Sequence, residues 1–111
     1  MTLTFGIAAK NPAVKITGSQ HVDKGEALAV TVTKDNVLTT DTIYATVYHK
    51  GTGGNYEVLT EVNSVLIKDS GSDTISWMQP TMTTSGSYKL IVTVKRGDNT
   101  ILEVPFYFIV S

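Results

Sequence analysis

The chain has 111 residues, 41% of them hydrophobic and 17% charged, with a formal net charge of −1 and a pI near 6.0. That is enough apolar material for one packed core, so a single domain over residues 1–111 is expected and a disordered tail is excluded. A near-neutral balance offers no field for a polyanion, which argues against nucleic-acid binding. The chain has no cysteine, which removes disulfides, thiol catalysis and cysteine-held zinc.

Taken in chain order, alternation of apolar and polar residues is almost continuous and helical period is absent. Leu3, Phe5 and Ile7 alternate with Thr4 and Gly6, predicting an N-terminal strand that stops at Asn11-Pro12. A short strand is expected over Val14–Thr17, then turns at Gly18-Ser19-Gln20 and Asp23-Lys24-Gly25. Leu28, Val30 and Val32 form the inward face of the next strand. Thr42–His49 is a clear strand, followed by the loop Gly51–Asn55 and weaker strands over Tyr56–Leu59 and Val62–Lys68. Asp69–Ser72 turns the chain into a strand carrying Trp77. Tyr88–Val94 and Thr100–Val110 then pair across a tight turn at Arg96-Gly97-Asp98-Asn99. Seven to nine short strands at this spacing predict an all-β sandwich of two antiparallel sheets. No apolar run is long enough for a membrane-spanning helix.

The segment Ser76-Trp77-x-x-Pro80-Thr81-x-x-x-x-Gly86-x-Tyr88-x-x-x-Val92-x-Val94 resembles the E–F corner and F strand of immunoglobulin-like domains. It is most similar to the modules of phage virion proteins and bacterial surface proteins. The resemblance covers about the last 40 residues and implies an immunoglobulin-like fold in which the Tyr88 hydroxyl bonds to the backbone of its own loop. Leu90 stands where antibody domains carry their second cysteine, Thr84 where an Asp is usual, and Trp77 lies on strand E instead of C. Trp77, Tyr88 and Leu90 are therefore read as fold-defining residues.

If Ile43, Ala45 and Val47, then Leu90, Val92 and Val94, then Leu102, Val104, Phe106 and Phe108 face the core, the alternate residues face out. The C-F-G strand order of the family then sets Tyr44, Tyr48, Ile91, Tyr107 and Ile109 side by side, a candidate interface. Leu3 and Phe5, on the N-terminal strand, are a second candidate, for pairing within the chain or with a neighbouring subunit.

Arg96-Gly97-Asp98 matches the RGD adhesion tripeptide on the F–G loop of fibronectin modules, although a tight hairpin needs such turn residues in any case. Asp69 and Asp73 flank a turn and lack a third carboxylate for calcium. His21 and His49 lie far apart and read as ordinary strand or surface residues, and Met78 and Met82 read as core more readily than as copper ligands. Gly51–Gly54 has no helix after it and is not a phosphate loop. No Ser, His and Asp set is evident at one end of the sheet.

The sequence thus predicts a protein that is not an enzyme and has no cofactor or metal. Two readings of it stay open. One is a decoration protein of a phage capsid or tail, contacting other subunits or itself. The other is a spacer or carbohydrate- and adhesion-binding module of a bacterial surface protein, its tyrosines stacking on sugar rings. Met1 without a signal peptide and the apolar C-terminal strand suit a complete small gene product at a virion surface. An excised module belongs instead at a bacterial cell surface.

Overall fold

The computed structural model describes residues 12–37, 40–59, 62–67, 74–78, 82 and 84–111, with 74–78 described by backbone alone. Among these, nine strands and no α-helix are present: β1 (Ala13–Gly18), β2 (His21–Val22), β3 (Ala29–Asp35), β4 (Thr42–Lys50), β5 (Tyr56–Val58), β6 (Val65–Ile67), β7 (Thr74–Met78), β8 (Gly86–Arg96) and β9 (Asn99–Val110). They form a three-stranded sheet, β1-β3-β7, and a six-stranded sheet, β2-β9-β8-β4-β5, with β6 also on β4. The expected all-β, two-sheet architecture is therefore what the chain adopts.

Alternation sets which residues go inside. Leu28, just before β3, and Val30 and Val32 on it meet Ile43, Ala45, Val47, Leu90, Val92, Val94, Phe106 and Phe108 from the other sheet in a single core. Met82 is buried with them, as a gap-filling core residue. An antiparallel register runs unbroken from Gly86↔Val110 to Val94↔Leu102, and a bulge at Val94/Lys95 precedes the turn. Gly97 takes a φ of 65° there, the left-handed conformation the hairpin requires.

The element absent from the sequence reading is β2. His21-Val22 runs parallel to Ile109-Val110, between two turn clusters. Two residues carry no periodicity to detect. Backbone bonds nevertheless clamp the strand: Ile109 N–H donates to the Gln20 carbonyl (2.9 Å), Ser111 N–H to Val22 (3.1 Å) and Lys24 N–H to Ser111 (2.9 Å).

Leu3, Phe5 and the Asp69–Asp73 turn lie outside the described residues, as does the Trp77 side chain.

Candidate functional site

The inner face of the six-stranded sheet ends in a row of rings. His49 stacks on Tyr88 with centroids 4.4 Å apart, Tyr88 on Phe108 at 5.3 Å, and Phe108 on Phe106 at 6.4 Å. Tyr88 donates its hydroxyl proton to the Thr84 carbonyl (2.5 Å), the hydroxyl-to-backbone bond expected of it. Burial pushes the Tyr88 phenol above its ordinary pKa of 10.0, because phenolate is poorly solvated there. Gly86, with a φ of 145°, permits the stack: a Cβ at that position would come within 2.6 Å of His49 Nε2.

The outer face is different. Register puts Tyr44 opposite Thr93, Thr46 opposite Ile91, Tyr48 opposite Lys89, Lys89 opposite Tyr107, Ile91 opposite Pro105 and Ser87 opposite Ile109. Tyr44, Tyr48, Ile91, Tyr107 and Ile109 thus share one face. Tyr107 and Ile109 are half exposed, and the other three are partly covered. The face is nevertheless not an apolar patch. Lys89 Nζ sits 4.6 Å from the Tyr56 ring centroid and 5.2 Å from that of Tyr48. Lys95 lies over Tyr44 at 5.5 Å and Lys50 over Tyr56 at 6.0 Å. Each ammonium meets the negative face of a ring, a contact worth about 0.5–1 kcal/mol when exposed.

Tyr56, which sequence reasoning left out, also meets Tyr107 edge to face at 6.3 Å. Beside this ring pair a groove of about 360 Å³ is lined by Gln20, Ser87, Tyr88, Phe108 and Ile109 as well. The lysines on alternate outward positions of β4 and β8 were the available signal for this chemistry.

At the far edge of the same face, His21, Asp23 and Ser111 come together. His21 Nε2 and Ser111 Oγ share a hydrogen bond of 2.5 Å, and Asp23 Oδ1 is 3.7 Å from His21 Nδ1. This corrects the expectation that no such set exists. Ser111 is 90 residues from His21, and only the β2–β9 pairing joins them.

The RGD tripeptide is not free to act as a unit. Arg96 folds back and donates two hydrogen bonds of 2.9 Å to the carboxylate of Asp41, whose side chain is fully buried. That bond raises the guanidinium pKa further. An adhesion loop must present its arginine outward, and this arginine is committed to Asp41.

No family model and no curated protein matches this sequence. Solved structures do. A superoxide reductase (neelaredoxin) from Ignicoccus hospitalis is 14% identical, with 92% of this chain and 81% of that chain covered and a TM-score of 0.54. Two variants of that protein are each 16% identical, at TM-scores of 0.55 and 0.52, over 91% of this chain and 80% of theirs. At such identity the likeness is one of fold. These neighbours are enzymes by name, and they overturn both the expectation of a non-enzyme and the two readings built on it, phage decoration protein and surface-protein spacer or adhesion module.

Reducing superoxide takes a one-electron donor, a role a transition metal can fill, and imidazole, thiolate and carboxylate groups are the side chains that hold one. The chain has no cysteine and two histidines. His49 lies on the inner face and His21 on the outer, with β8 and β9 between their strands, about 14 Å apart at ordinary strand spacing. Among the described residues no three His, Cys, Asp or Glu side chains converge on a metal-sized space. The described residues therefore do not fit a redox metal.

Proposed function

We propose that the chain is an immunoglobulin-like sandwich that binds a small ring-bearing carboxylate on its tyrosine–lysine face. The fold part is supported by the sheet order, with β9-β8-β4 in the places of G-F-C and β1-β3-β7 in those of A-B-E, and by the Tyr88–Thr84 bond. The binding part rests on one observation: Lys89 Nζ is held between the rings of Tyr48 and Tyr56. A cation fixed by two rings needs little further ordering to meet an anion. The groove beside it, walled by Tyr56 and Tyr107, takes the ring of the ligand.

Calorimetric titration with benzoate and with its neutral amide tests this reading. The carboxylate is expected to bind more tightly, with a difference that shrinks as salt rises and is lost in Lys89→Gln. Equal binding of acid and amide would overturn it.

A second reading follows from the fold neighbours, which are superoxide reductases by name. Superoxide is itself a small anion, and the same lysines would attract it. Superoxide consumption by the purified chain supplied with a one-electron donor, compared with the donor alone, separates the two readings. Turnover above spontaneous dismutation that Lys89→Gln diminishes would put this second reading first.

A further inference from the structure

We propose that Ser111, His21 and Asp23 form a nucleophilic site that accepts an acyl group from a small carboxylic ester. The nucleophile and base are in direct hydrogen-bond contact, with Ser111 Oγ and His21 Nε2 2.5 Å apart. The third group stands on the other ring nitrogen, where Asp23 at 3.7 Å favours the tautomer with its proton on Nδ1 and so leaves Nε2 free to accept.

The backbone beneath is fixed. Ser19 Oγ donates to the His21 carbonyl (2.7 Å) and accepts from the His21 N–H (3.2 Å), while Ser111 is tied at its N–H to Val22 and at its carbonyl to Lys24. The Gln20 side-chain amide donates to the Tyr107 carbonyl (3.1 Å), bracing the turn against β9.

The site also has a place for substrate. Ile109 lines the groove, pairs with His21, and lies two residues before Ser111 on the same face, about 7 Å along the strand. Gln20, the neighbour of His21, lines the groove as well. A ring seated in that groove against Tyr107 and Ile109 would carry an attached ester along β9 toward Ser111.

In the reaction Ser111 Oγ attacks the ester carbonyl carbon as its proton passes to His21 Nε2. The C–O bond to the alcohol breaks, and that proton leaves with the alcohol. Water then attacks the acyl-serine, again giving its proton to His21, which returns it to Ser111 Oγ as the acid departs. Asp23 is a positioning residue. Only the ring-bearing substrate class rests on the groove assigned above; the nucleophile does not.

The test uses the full chain and a small alkyl fluorophosphonate, read by intact mass and peptide mapping, with circular dichroism to verify folding. All three residues are exposed, so their variants are expected to fold. One adduct is expected, on Ser111, and none in Ser111→Ala. His21→Gln is expected to slow labelling about 100-fold, the lower end of what a general base supplies. Asp23→Asn is expected to slow it about fivefold, as suits an exposed pair, and Asp23→Glu to restore it. No adduct on Ser111, or an equal rate in His21→Gln, overturns the proposal. Para-nitrophenyl benzoate then reports on the groove: Tyr107→Ala is expected to raise KM. An unmoved KM with intact Ser111 labelling would defeat the groove and leave the nucleophile standing.

Discussion

On its inner face the six-stranded sheet stacks His49, Tyr88, Phe108 and Phe106 ring upon ring. On its outer face, Tyr44, Tyr48 and Tyr56 lie beneath lysine ammonium groups. The same strands supply both, at alternating positions: Tyr88 points in and Lys89 out, Phe108 in and Tyr107 out. Inside, rings exclude water and fix geometry by mutual packing. Outside, the rings keep contact with water and hold charge in place. A single residue's step along a strand thus separates what makes the fold from what can meet a ligand.

The sharpest way to break this contrast is to cut one ring from each face. Phe108→Ala is expected to lose about 3–5 kcal/mol of stability in chemical denaturation, and its neighbour Tyr107→Ala less than about 1 kcal/mol. Equal losses would mean that the outer rings are structural too. Gly86→Ala comes next, at about 1–3 kcal/mol, since it strains a φ of 145° and drives His49 off Tyr88. Tyr88→Phe keeps the stack and removes only the bond to Thr84, at about 1 kcal/mol.

Lys89→Gln is expected to cost no more than about 1 kcal/mol in thermal melts while abolishing the preference for carboxylate over amide, so function and stability part at this residue. The smallest effect is one of pH. Because the folded Tyr88 pKa is raised, its contribution is whole below the ordinary value of 10.0 and is lost as pH climbs from there toward the folded value. Melts taken from about pH 9 to pH 11 should therefore fall more steeply for the native chain than for Tyr88→Phe.

The contrast between faces was legible in the sequence because a strand's period of two assigns every side chain once one inward residue is known. Tyr44, Tyr48, Ile91, Tyr107 and Ile109 were placed together on that ground, with the strand order taken from the family resemblance. What the outer face does was not legible, since a lysine's partner lies on the next strand and no local pattern names it. Arg96 shows the same limit: its tripeptide looks exposed until Asp41, 55 residues away, takes the guanidinium. His21 and Ser111 are the extreme case, joined by a strand too short to have a period.

That short parallel strand also sets a sequence of events in time. Joining His21 to Ser111 closes a loop of 90 residues, a contact whose entropy cost is met only after the intervening strands have paired. Pairing of β2 with β9 is therefore expected among the last steps of folding and, being two residues long, among the first to open under denaturant. Fluorophosphonate labelling of Ser111 would then fade at lower denaturant than the loss of core structure, making the edge of the sheet a gauge of its own closure.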